Sequence, residues 1–175
     1  MSHLTEWLVV ALIAVTGAFA LRTWVVQVFY IPSTSMVPTL MVGDRILVDK
    51  LSYDFGPVKR GNIIVFRRPP GKVVAPNIHD LVKRVIGLPG QTISSGIGNQ
   101  ILINGRPISQ PWLPKHISSG PPINPQVIPK GEYFVMGDNR GNSEDSRFFG
   151  PISSKLIVGK VVARLWPLGR FKIFG

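Results

Sequence analysis

The sequence predicts a mainly β protein: a single N-terminal transmembrane helix within residues 1–24, then an all-β domain of short mixed strands over residues 25–175. Three observations carry that expectation. An uncharged apolar run extends from Trp7 to Leu21. Short clusters of β-branched and aromatic residues recur along the rest of the chain. Between them fall 18 Gly and 16 Pro, about a fifth of all residues, which suits many tight connections.

The 175 residues suffice for one domain with a core, and a hydrophobic content of 45% excludes general disorder. The absence of cysteine excludes disulfides, thiolate catalysis and Cys-ligated zinc.

The fifteen residues from Trp7 to Leu21 are short for a span of about 20. Leu4-Thr5-Glu6 and Arg22-Thr23-Trp24 complete it if Glu6 and Arg22 sit at the interfaces. Trp7 and Trp24 then suit the two headgroup belts. A buried core helix and a cleavable leader are the alternatives. Ala18-Phe19-Ala20 has the small-x-small form of a leader cleavage site, but the start lacks the usual Lys or Arg. Charge does not fix the orientation, because long domains translocate regardless of it.

The net charge is +11, and residues 1–21 hold no Lys or Arg and one acid, Glu6. The remaining 20 bases and 8 acids leave +12 on the rest, which favours contact with anionic headgroups. The bases are scattered singly, with no recognition-helix pattern, which argues against a nucleic-acid partner.

Strands are expected at Thr23–Ile31, Arg45–Lys50, Asn62–Arg67 and Leu81–Ile86. Gln100–Ile103 and Arg106–Ile108 flank Asn104-Gly105, a type I′ hairpin signal. Glu132–Met136 precedes a polar loop, 137–150, and Leu156–Trp166 forms a long closing strand with a bulge at Gly159. The Pro-rich stretch 112–129 reads as an exposed, mobile loop.

For chemistry, Ser35 stands out, just past the apolar segment within IPSTSMVPTL. A serine hydroxyl needs a base to become a nucleophile. His3, His79 and His116 occupy positions better suited to solvated residues, so a Ser-His-Asp triad is poorly supported. Lys83 lies in the apolar strand LVKRVIG, where burial would lower its pKa and let it accept a proton. Alternation places Lys83 on one face of that strand and Arg84 on the other, seeking a carboxylate. Two surface charges on an edge strand are the competing reading of the same residues. The loop from Gly137 to Gly150, GDNRGNSEDSRFFG, is dense in hydrogen-bonding groups that a buried scaffold would have to pair.

Together, IPSTSMVPTL, GDRILVDKLSY, RGNIIVF, VKRVIGLPG and GDNRGNSEDSRFFGPI, in that order after one apolar segment, resemble the type I signal peptidases. The resemblance runs from about Phe29 to Trp166. It implies that Ser35 is the nucleophile and Lys83 its general base. It implies that Ser33 and the Ser35 backbone N–H bind the oxyanion, and that Ser143 orients the lysine. Asp138 would pair with Arg84 and Asp145 with Arg147 beneath the site. Shallow pockets for small residues at the first and third positions before the cut would come from Phe29, Ile31, Met36, Leu40, Leu81 and Val82. The substrate would be the signal peptide of an exported pre-protein, bound extended against strand edges. The resemblance further implies a single-pass cell-membrane protein with its catalytic domain on the extracytoplasmic side, and no metal or other cofactor. Thr34 departs from the Gly that many relatives carry there, and Gln91 stands where an acid is common.

Two other functions are compatible with parts of the pattern. A self-cleaving Ser-Lys peptidase would need a DNA-binding head, which the chain lacks. A non-catalytic, membrane-tethered basic module would explain the charge but not the joint presence of Ser35, Lys83 and the 137–150 loop.

Overall fold

The computed structural model describes residues 3–20, 25–71, 79–114 and 120–175. The β-branched clusters become strands because each can bury one face or both. The helix α1 (His3–Ala20) leads into β1 (Val26–Tyr30), β2 (Arg45–Asp49), β3 (Ile63–Arg67) and β4 (Asp80–Gly87). Next come β5 (Thr92–Ser95), β6 (Ile101–Ile103), β7 (Arg106–Pro107), β8 (Gln126–Val127) and β9 (Glu132–Met136). A one-turn helix α2 (Ser146–Phe149), β10 (Ile152–Ser153), β11 (Ile157–Trp166) and β12 (Lys172–Ile173) complete the chain.

The strands form two sheets. The larger has the order β1-β2-β11-β3-β4-β9-β10, with β12 added to β11, and the smaller has the order β7-β6-β5-β8. The expected mixture of strand directions is not found: among the described residues every ladder is antiparallel.

Strand β3 shows why the centre is buried on both sides. Ile63 and Val65 join Ile31, Met36, Leu40, Ile46, Val48 and Val161 in one cluster. Ile64 and Phe66 point the other way, to Val85, Val135, Phe149 and Ile152. A third cluster, including Ile86, Ile93, Ile128, Phe134 and Met136, joins the two sheets.

Local chemistry fixes the connections. Asn104 and Gly105 have φ of 51° and 75°, the doubly left-handed turn expected between β6 and β7. Gly159 lies at a register shift between β11 and β3, as expected of a bulge. A Cβ there would collide with the carbonyl of Asp49, so the close approach of β2 requires glycine.

Two expectations need correction. The stretch 112–129 is not wholly an exposed loop. Ile123 and Ile128 are core residues, and Gln126–Val127 is strand β8, paired with β5. Residues 115–119, with His116, lie outside the described residues. The second correction concerns the helix. Its 18 residues rise about 27 Å, against a hydrocarbon core of about 30 Å, and its first turn contains Glu6. No helix among the described residues is long and apolar enough to cross a membrane. Residues 21–24, including Arg22, Thr23 and Trp24, lie outside the described residues. Nor is α1 a buried core helix: Trp7, Leu8, Val9, Val10, Leu12, Ile13 and Val15 are all exposed.

Gly159→Ala is expected to lower the unfolding free energy by about 1–3 kcal/mol, because the strands on either side would have to separate. Gly169→Ala, where a Cβ meets no atom within 4 Å, should change it little. Urea unfolding of both variants in detergent checks this.

Candidate active site

The chain between β1 and β2 folds back on itself. Ile31 N–H donates to the Asp44 carbonyl at 2.9 Å, and Gly43 N–H donates to the Ile31 carbonyl at 2.9 Å. Met36 and Leu40 drive their side chains into the core beneath. Ser35 therefore rides on a turn that its neighbour Met36 anchors from below.

The polar loop holds the same turn from the side. The Asn139 N–H donates to the Ser35 carbonyl at 3.0 Å. Asn139 Nδ2 donates to the Thr34 carbonyl at 3.1 Å, and Asn142 Nδ2 donates to Thr34 Oγ1 at 3.2 Å. The departure at Thr34 thus gives the loop one more acceptor.

Strand β4 supplies the facing amine. Lys83 is 3% exposed, and its Nζ donates to Ser35 Oγ at 2.6 Å. Ser33 Oγ lies 3.2 Å from Ser35 Oγ. Burial lowers the Lys83 pKa to about 8, while Asp145, Glu144 and Asp138 pull in the opposite direction. An amine in that state can exist neutral close to physiological pH.

Arg84 faces the opposite side of β4, as alternation requires. Its Nε and Nη2 donate to Asp138 Oδ1 and Oδ2 at 2.9 and 2.6 Å. Its Nη1 donates to the Gly61 carbonyl at 2.7 Å. Thr39 Oγ1 also donates to Asp138, at 2.5 Å, which ties the serine turn to this pair.

Asp145 collects a second set of donors. Arg147 Nε and Nη2 reach its two oxygens, each at 2.8 Å, and Gly137 N–H donates at 2.9 Å. Asp145 also caps α2 by accepting from Arg147 N–H at 3.2 Å. Both expected arginine–carboxylate pairs are therefore formed.

Ser143 differs from expectation. Its Oγ donates to Asp145 Oδ2 at 2.8 Å, not to Lys83. Gly137 stays close to this hydroxyl: a Cβ on it would strike both Ser143 Oγ and the Ser35 carbonyl.

A groove of about 350 Å³ opens beside Ser35 and Lys83. Phe29, Ile31, Met36, Leu81 and Val82 line it, as expected. Leu40 does not: it is fully buried in the core, because its place on the turn directs it inward. Tyr30, Pro32, His79 and Asp80 also line the groove and were not anticipated. The support residues Thr39, Asn139, Arg140 and Asn142 were likewise unassigned. For Asn139, Arg140 and Asn142 the signal lay in the density of polar groups at 137–150, which identifies a scaffold but not its partners; Thr39 had none. Arg140 is nearly buried, donates to the Gly137 carbonyl at 3.0 Å and bonds Gln110; burial pulls its pKa down to about 10. Among the described residues, no group of three His, Asp or Glu converges as metal ligands would.

Residues 4–166 match the family described as "Signal peptidase, peptidase S26". The chain belongs to this family. Its sequence is 42% identical over 167 residues to signal peptidase I of Leptolyngbya laminosa, covering 93% of this chain and 80% of that protein. It is 37% identical over 186 residues to signal peptidase IB of Staphylococcus aureus strain Mu50, covering 97% and 93% respectively. The crystal structure of a signal peptidase I from Enterococcus faecalis V583 is similar, with a TM-score of 0.50 and 29% identity, over 61% of this chain and 97% of that one. The mainly β architecture described above is thus the signal peptidase I fold, and the chain is a type I signal peptidase.

Removing one carboxylate should expose how much the peptidase depends on its buried pairs. Asp138→Ala leaves Arg84 buried without its counter-charge and is expected to cost about 3–5 kcal/mol of stability. Chemical denaturation of the variant beside wild type measures it.

Proposed function

We propose that this signal peptidase cleaves signal peptides from exported pre-proteins with Ser35 as nucleophile and Lys83 as general base. The observation that carries this reading is the 2.6 Å contact between Lys83 Nζ and Ser35 Oγ, with the lysine side chain almost wholly buried. When Lys83 is neutral, the direction of that hydrogen bond reverses. The amine accepts the serine proton as Oγ attacks the scissile carbonyl. The oxyanion that forms is met by Ser33 Oγ and the Ser35 N–H. The Lys83 ammonium then protonates the leaving amine, and the ester on Ser35 is hydrolysed by water activated by the same base. This route needs only the chain's own acid–base groups.

Ser143 acts indirectly in this scheme. It hydrogen-bonds Asp145, whose charge opposes the depression of the Lys83 pKa. Arg84, Asp138, Asp145 and Arg147 are positioning residues: they hold the loop that holds the serine turn.

The groove suits an extended peptide. β1 is an outer strand, and Leu81–Lys83 extends beyond the β4–β9 ladder, which begins at Arg84. Both therefore have main-chain groups free to pair with a substrate strand. Phe29, Ile31, Met36, Leu81 and Val82 leave room for small residues at the first and third positions before the cut.

The same reading assigns residues 1–24 to a membrane anchor and residues 25–175 to an extracytoplasmic peptidase domain. The exposed apolar side chains of α1 support it, since no other element among the described residues covers them. The basic remainder would favour anionic headgroups. Processing of exported precursors requires the groove to face away from the cytoplasm.

Ser35→Ala and Lys83→Ala should each lower kcat/KM for a precursor by about a thousandfold or more, and Ser33→Ala by about 10²–10³. Cleavage of a purified pre-protein, followed by gel at matched enzyme concentrations, decides this; near-wild-type turnover by either dyad variant contradicts the assignment.

The pH dependence has a definite sign. Burial lowers the Lys83 pKa, so the base-competent neutral fraction grows as pH rises. kcat/KM should climb about tenfold per pH unit below about 8 and level off above it. A steady-state profile from pH 6 to 10 measures this.

A further inference from the structure

The turn that carries Ser35 is gripped at Thr39 from two directions. The Thr39 hydroxyl goes to Asp138 of the polar loop. The Thr39 carbonyl accepts Arg164 Nη1 at 2.7 Å, from β11. Arg164 is only 8% exposed. Its Nε donates to the Arg170 carbonyl at 2.5 Å, and its Nη1 lies 3.6 Å from Asp44 Oδ2. Asp44, itself buried, closes the same segment. Its Oδ2 accepts the Met41 N–H at 2.8 Å, and its Oδ1 accepts Arg170 Nη1 at 2.9 Å.

An irregularity in strand pairing aims Arg164 at the turn. Val161 pairs with Val48 and Arg164 with Ile46, so three steps along β11 match two along β2. Directly paired residues share a face of the sheet. Val161, Val48 and Ile46 all belong to the core cluster that also holds Met36 and Leu40. Unbroken alternation from Val161 would send Arg164 to the opposite face. The extra residue on β11 turns it back. A guanidinium is costly to bury unless it is paired. Here two of its contacts, Thr39 and Asp44, lie on the segment that follows the nucleophile.

The same sheet fixes the base. β11 pairs Lys160 with Ile64 of β3, and β3 pairs Ile64 with Lys83. Arg164 therefore ties the serine's turn to the strands among which Lys83 stands.

We infer that Arg164, backed by Asp44, is a positioning residue of the peptidase: it holds the Ser35 turn against the sheet so that Ser35 Oγ meets Lys83 Nζ. The inference rests on the reading of those two residues as nucleophile and base. Loss of the Arg164 guanidinium leaves Asp44 paired with Arg170, so the turn loosens without an uncompensated carboxylate beside it.

The test uses a thiol as a reporter of distance. The chain has no cysteine, so Ser35→Cys gives the full chain, in detergent, a single thiol. Its alkylation by iodoacetamide is followed from about pH 5 to 10. Beside the Lys83 ammonium the thiol should titrate below the value of about 8.5 for free cysteine. Lys83→Met in this background should raise that value; if it does not, the dyad reading itself fails. Arg164→Met in its place should raise it by about one unit, because thiol and amine part, and Arg164→Lys should undo most of the rise. With Ser35 intact, Arg164→Met should lower kcat for a precursor by about 10²-fold and change KM less than about threefold. Asp44→Asn should act in the same direction more weakly, and it carries the test if Arg164→Met does not fold. A brace for the fold alone would lower the melting temperature and leave both the thiol titration and the turnover of the folded variant unchanged. That result, with the Lys83→Met shift present, overturns the inference and spares the dyad. So does a loss confined to KM.

Discussion

A lysine amine has to lose its water before it can serve as a base near neutral pH, and the rest of this structure is organised around that requirement. The pKa of Lys83 falls because the side chain is buried, on a central strand that pairs it with Ile64 of β3. Nearby acids oppose the effect. Asp145 and Asp138 would hold the amine charged if their own charge were not already claimed by Arg147 and Arg84. The two arginine–carboxylate pairs therefore do more than brace a loop. They neutralise the very groups that would otherwise spoil the base.

The support is also directional. Asp138 accepts from Arg84 and Thr39, and Asn139 next to it donates to the Ser35 and Thr34 carbonyls. Asp145 receives Arg147, Ser143 and the backbone of Gly137. A single polar loop thus fixes the nucleophile's turn at one end and shields the base at the other. Close approach of Gly137 to the Ser35 carbonyl explains why the loop begins with a residue lacking a side chain.

The strands that support this arrangement were legible where they are long and apolar. β2, β3, β4, β6, β9 and β11 follow from β-branched runs, and the Asn104-Gly105 turn and Gly159 bulge from residue chemistry. Four others were not. β5 (TISS), β8 (QV), β10 (IS) and β12 (KI) are too short or too polar to show the apolar pattern of a buried strand, and only the partner strand beside each makes it extended. The site shows the same division. Alternation along LVKRVIG separates Lys83 from Arg84, and a carboxylate partner for Arg84 could be anticipated. Which acceptor Ser143 chooses, and whether Leu40 faces groove or core, depend on distances of an ångström or two that only the folded chain defines. The Pro-rich composition of 112–129 concealed Ile123 and Ile128, two core residues set among turn formers.

Strand β4 carries the base on one side and the anchor of its scaffold on the other, in adjacent positions. Those neighbours differ in everything chemistry cares about: one can shed a proton and the other cannot. A slip of one rung in the β3–β4 ladder would exchange them, presenting a permanently charged guanidinium to Ser35 and leaving Asp138 with a lysine. Such a misthreaded molecule would keep much of its hydrogen bonding and none of its reactivity. The pairing of Ile64 with Lys83 is therefore a vernier setting, and fidelity of strand alignment is itself a condition of enzymatic competence.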